Sequence, residues 1–125
     1  MGDAVADKVV VNLATGLEDS ERVLIAFLVA NAAAEQGKSV AMFLTKEAVR
    51  LAQPGFAHGV ACDGCPPLER LFDQFADGGG QLLVCPICVN SRGLDPQEFV
   101  ANATVAGATP MWEWLGDGPR TVFSY

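Results

Sequence analysis

Four cysteines fall in two pairs, Cys62-Asp63-Gly64-Cys65 and Cys85-Pro86-Ile87-Cys88, with the spacing C-x2-C-x19-C-x2-C. Two chemistries suit that pattern. Two CxxC pairs about 15 to 20 residues apart are a recurring zinc arrangement. Four thiolates from Cys62, Cys65, Cys85 and Cys88 would satisfy tetrahedral Zn²⁺ or an iron–sulfur cluster. The flanks fit a zinc ribbon poorly, because Pro66 and Val89 stand where such sites usually carry glycine, and a helix and a buried strand fill the interval. The other chemistry is that of the thiols themselves. A cysteine at the end of a strand and a second in the first turn of the next helix sit where unpaired N–H groups favour the thiolate, which is the nucleophile. Arg92, four residues beyond Cys88, lies one helical turn on and would bring positive charge to an anionic sulfur species. Free cysteine also serves as a small buried hydrophobe, a reading that explains one such residue more easily than two pairs. His58, the only histidine, lies in the loop before Cys62. It could act as a base or a substitute ligand, and a solvated loop histidine is the simpler reading.

The elements that must hold these residues alternate between strand and helix. Lys8 to Ala14 is a β-branched apolar run with the look of a strand buried on both faces. Asp19 to Glu35 carries apolar residues at helical spacing, with Asp19 or Ser20 as N-cap and Gly37 as stop. Ser39 to Leu44 is a second strand, and Thr45 can cap a short helix to about Ala52. A loop over 53–65 leads to a helix opening at Pro66-Pro67 and closed by Gly78-Gly79-Gly80, and Gln81 to Cys85 is the third strand. A short helix is expected around Cys88 to Arg92, and Asp95-Pro96-Gln97-Glu98 predicts a capped helix to about Ala103. A short strand over Thr104 to Gly107, a helix from Thr109-Pro110 to Gly116 and a final strand over Thr121 to Tyr125 complete the series. Such alternation implies a doubly wound α/β fold, a mostly parallel five-stranded sheet with helices on both faces. In the flavodoxin-like order, functional groups gather beyond the carboxyl ends of the strands, typically beside the first and third. The helix after Cys65 must run back toward the start of the third strand, which brings the two cysteine pairs to one rim.

Composition narrows the class of function. With 125 residues, half of them hydrophobic and 18% charged, the chain can bury one core. We divide it into an N-terminal tail, residues 1–7, and one domain, residues 8–125. A net charge of −7 repels a phosphate backbone and an anionic bilayer, which argues against nucleic-acid and membrane partners. The longest apolar stretch, Val23 to Ala34, is interrupted by Asn31 and falls short of the roughly 20 residues that span hydrocarbon. The first residues lack a basic secretory leader, so a cytoplasmic location with redox-active or metal-bound thiols is expected. Trp112 and Trp114 face different sides of one helix, and the alanine-rich helix is apolar around much of its circumference; both features suit a homo-oligomer.

The run LLVCPICVNSRGLD, a third strand ending in cysteine with Arg-Gly following, resembles the DsrE/DsrF-like sulfur-relay family. KVVVNLATG, GKSVAMFLT and the C-terminal strand extend the resemblance from about Lys8 to Tyr125. It implies a flavodoxin-like sheet, assembly into trimers or hexamers, a sulfur donor or acceptor protein as partner, and in some members a persulfide on the cysteine after the third strand. That residue here is Cys85, with Arg92 and Gly93 matching the Arg-Gly. The resemblance thus points to a persulfide carrier or thiol redox protein, with sulfurtransferase as the enzyme class and no required cofactor. Family carriers rely on a single cysteine at this place. The added Cys88, Cys62 and Cys65 would resolve a persulfide as a disulfide or make a non-catalytic Zn or Fe–S module, and both alternatives stand at this point.

Overall fold

The computed structural model describes residues 7–61 and 63–125, so Cys62 and residues 1–6 of the expected tail lie outside the described residues. The strands are β1 (Lys8–Leu13), β2 (Ser39–Leu44), β3 (Gln81–Val84), β4 (Ala103–Val105) and β5 (Arg120–Ser124). The helices are α1 (Ser20–Glu35), α2 (Leu68–Asp77), α3 (Pro86–Ser91) and α4 (Ala108–Leu115). The sheet runs in the order β4-β3-β2-β1-β5, and every neighbouring pair is parallel.

Alternation along the strands divides the interior. Val9, Val11 and Leu13 of β1, Val40, Met42 and Leu44 of β2, and Leu82 and Val84 of β3 form the main core with α1 and α2. Phe27 of α1 anchors it, its ring meeting Phe72 and Phe75 of α2 at centroid distances of 5.6 and 5.7 Å. The interruption at Asn31 is resolved by a buried hydrogen bond, 3.0 Å from its Nδ2 to the Leu71 carbonyl, which ties α1 to α2. Ala41 and Leu83 point the other way and meet Ala106, Met111 and Trp114 at α4. Trp114 is thus half-buried while Trp112 is exposed beneath Arg120, the division expected of the two tryptophans.

This is the expected α/β architecture with helices on both faces, and its strand order changes one detail. Since β2 separates β1 from β3, the winding reverses at β1, between β2 and β5, and not between the first and third strands. The steps from β1 to β4 all go one way, and the return from β4 to β5 carries α4 over the opposite face.

Local departures have local causes. The expected helix over 46–52 is a 3-10 helix, Lys46–Ala52. Its buried residues Ala48 and Leu51, and Val49 and Ala52, repeat every third position, which is the 3-10 period. The helix expected from Asp95 to about Ala103 lasts one turn, Pro96–Glu98. Asp95 does cap it, accepting from the Gln97 N–H at 2.9 Å, but Phe99 is extended and the Val100 N–H is drawn to the Ala52 carbonyl. Among the described residues no helix is long and apolar enough to cross a membrane.

Candidate functional site

Cys85 follows β3 directly and caps α3, with Pro86 in the first helical position, where a missing N–H costs nothing. Its own N–H extends the sheet by one bond to the Leu44 carbonyl (3.0 Å), and its carbonyl accepts from the Val89 N–H (3.0 Å) to close the first turn. The backbone that carries the sulfur is therefore fixed from both sides. Cys85 and Cys88 are both free thiols and both partly exposed. Ile87, between them, is 78% exposed.

Three segments converge on this turn. The Lys46 N–H donates to Cys88 Sγ at 3.1 Å, and Lys46 is the one described non-glycine residue with positive φ, at 53°. Glu47 follows, its carboxylate held between Arg92 Nε at 2.5 Å and Arg50 Nε at 2.9 Å. The Arg92 hydrogen bond first, and the Arg50 hydrogen bond second, hold the Glu47 carboxyl below its usual range, against a smaller opposing effect of burial. From the end of β1, buried Gly16 presses on the same segment so closely that a Cβ there would lie 2.7 Å from the Glu47 carbonyl oxygen.

The Arg-Gly pair has a structural meaning here. Gly93 adopts φ 64°, its N–H bonds the Asn90 carbonyl, and the Leu94 N–H reaches back to the Val89 carbonyl. This is the Schellman ending of a helix, completed by Val89 and Leu94 meeting in the core. Arg92 is the C-cap, and its Nη1 donates to the Cys88 carbonyl at 3.3 Å. Its guanidinium serves Glu47 and that carbonyl, so it braces α3 against the Lys46–Glu47 segment.

Cys85, Cys88 and Arg92 thus share one short helix and its caps, with the Arg92 guanidinium bonded to Glu47 and to the Cys88 carbonyl, not to a sulfur. Cys65 stands just before α2, which runs back to the start of β3, and is disulfide-bonded. Among the described residues no group of three or more His, Cys, Asp or Glu is arranged to hold a metal ion. Cys62, the remaining member of the Cys62, Cys65, Cys85, Cys88 set, lies outside them. His58 is exposed, with Nε2 3.5 Å from Glu69 Oε1, as suits a solvated loop residue. Sequence reasoning missed Lys46 and Glu47. Nothing in the residue types announces a left-handed lysine, and Gly16 was legible only as a turn.

A family model described as the DsrE/DsrF-like family matches residues 7–123. No curated protein matches the chain. Among solved structures, the fold is similar to that of the ychN protein from E. coli, at 15% identity over 97% of this chain and 100% of that one, with a TM-score of 0.73. It is also similar to MTH1491, a protein of unknown function from Methanobacterium thermoautotrophicum, at 12% identity, 97% and 100% coverage and TM-score 0.66. The conserved protein of unknown function BT1422 from Bacteroides thetaiotaomicron matches at 17% identity, 95% of each chain and TM-score 0.62.

Proposed function

Because the chain belongs to the DsrE/DsrF-like family, we propose that it handles sulfane sulfur, with Cys85 as the residue that carries it as a persulfide. The observation that carries this reading is the placement of Cys85: a free, partly exposed thiol on a backbone immobilised at the carboxyl end of β3. In the reaction, the Cys85 thiolate attacks the outer sulfur of a donor persulfide; the new S–S bond forms as the donor's breaks, and the donor leaves as its thiolate. The same exchange in reverse passes the sulfur to an acceptor thiol. No external cofactor enters either step. Arg92 contributes by holding the Cys88 carbonyl and Glu47, which keeps the thiol turn seated on the sheet.

Exposed Ile87 beside the sulfur gives a donor or acceptor protein an apolar foothold. A homo-oligomer is part of the same proposal. Ile25 and Leu28 of α1 and Phe123 of β5 are exposed, and a groove of about 360 Å³ lined by Val9, Val29, Ala32, Ala33 and Phe123 lies between α1 and β5. A second copy of the chain would cover that face, and sedimentation will show whether the chain assembles. Function is tested by loading the reduced protein with inorganic polysulfide and measuring intact mass. A gain of sulfur that maps to Cys85 at the earliest times after loading and is lost in Cys85→Ser is expected; an unchanged gain in Cys85→Ser refutes the assignment.

A further inference from the structure

The family's sulfur chemistry needs one cysteine on this turn, and the structure presents two in different settings. Among the described residues the Cys85 sulfur has no hydrogen-bond partner, while Cys88 Sγ receives the Lys46 N–H at 3.1 Å. Cys85 caps α3 and Cys88 is the third residue inside it, and residues three apart on a helix are neighbours, with Cβ atoms about 5–6 Å apart. An N–H aimed at sulfur fixes where that sulfur sits. Here that N–H is directed by a left-handed residue, a conformation that L-residues disfavour, so the surrounding structure must hold it in place. The bracing is visible: the Thr45 N–H bonds the Leu13 carbonyl, the Ala48 N–H bonds the Thr45 carbonyl, and Arg92 joins Glu47 to the Cys88 carbonyl.

Resting on the persulfide reading of Cys85, we propose that Cys88 makes the site a sulfide-releasing device, with the Lys46 amide as its positioning group. After Cys88 gives its proton to solvent, its thiolate attacks the inner sulfur of the Cys85 persulfide. The Cys85–Cys88 disulfide bond forms as the bond to the outer sulfur breaks, and the outer sulfur leaves as hydrosulfide with the bonding electron pair. The two cysteine sulfurs together lose two electrons, and the sulfane sulfur gains them. An external dithiol, a thioredoxin-type reductant by chemical class, returns the disulfide to two thiols by exchange. The substrate class is sulfane sulfur and the product is sulfide.

The test charges the reduced full-length protein anaerobically with inorganic polysulfide, removes excess donor, and follows free sulfide and mapped intact mass in wild type, Cys88→Ser and Cys85→Ser. Serine keeps an acceptor for the Lys46 N–H, so Cys88→Ser preserves the turn. The expected result is sulfide release in wild type with matching growth of a Cys85–Cys88 disulfide. Cys88→Ser holds a stable Cys85 persulfide and releases no sulfide above the protein-free control, and Cys85→Ser does neither. A wild-type persulfide that persists with neither sulfide nor disulfide overturns the release step and leaves the carrier reading standing. Absence of a Cys85 adduct in both wild type and Cys88→Ser, with no sulfide released, overturns both.

Discussion

Replacing Gly16 by alanine probes the contact that seats the site. The backbone there has φ −103°, outside the left-handed region that favours glycine, and alanine meets a cost in space. The new Cβ would lie 2.7 Å from the Glu47 carbonyl oxygen and 2.9 Å from both its carbonyl carbon and its Cβ. Carbon atoms in ordinary contact are about 3.5–4.0 Å apart, so one of the two segments must retreat by a good fraction of an ångström. Gly16 is not free to do so, because its N–H is bonded to Glu18 Oε1 at 2.9 Å and its carbonyl to the Asp19 N–H at 3.2 Å. The Lys46–Glu47 segment moves instead, taking the amide off Cys88. Overpacking of this kind costs about 1–3 kcal/mol. Urea unfolding followed by tryptophan fluorescence should show a lower midpoint at unchanged slope, and the rate at which iodoacetamide alkylates Cys88 should change with it. Gly79→Ala is the control: at φ 86° with open space around it, it destabilises through the backbone alone and leaves Cys88 alkylation as it was. A Gly16→Ala protein within about 0.5 kcal/mol of wild type, with unaltered alkylation, would refute the argument.

The Glu47 carboxyl is held low by Arg92 and then Arg50, so the stability it adds is present above its ordinary value of 4.5 and is lost as pH falls through the depressed one. Wild type should therefore lose stability relative to Glu47→Gln on acidification below that point, an effect weakened by salt because the group is exposed; parallel pH profiles would count against the clamp. Gly93→Ala should lose about 1–2 kcal/mol because the Schellman ending needs the left-handed conformation, with Gly93→Asn losing less, as urea titration will show. Phe27→Ala, which empties the centre of the α1–α2 contact, should cost about 3–5 kcal/mol in the same assay.

Much of the positioning was legible because it is periodic. Val9 to Val11 and Val40 to Leu44 announce strands through continuous apolar runs, and Asp19 and Gly37 bracket α1 where capping chemistry puts them. Cys85 and Cys88 were legible from the strand-to-helix break, and Gly93 from its place after α3. Strand order was not, since no residue records its neighbour across a sheet. The 95–103 segment shows the limit of capping signals: Asp95 and Pro96 start a helix, but the Ala52 carbonyl captures the next available N–H. The Lys46 conformation was hidden for the same reason, being imposed by contacts from residues 13 to 92.

The pairing of β1 with β5 carries a kinetic consequence. Val9 and Thr121 are partners in the ladder although more than a hundred residues separate them, and the Tyr125 N–H closes the edge on the Asn12 carbonyl. Closing so long a span costs entropy that local contacts do not repay at once. On a ribosome, β1 would wait with one flank bare until residues 120–124 had cleared the exit tunnel. The rim that bears the thiols can mature from residues 8 to 94 while that flank is still open, so a nascent chain would acquire its chemistry before it acquires its final edge.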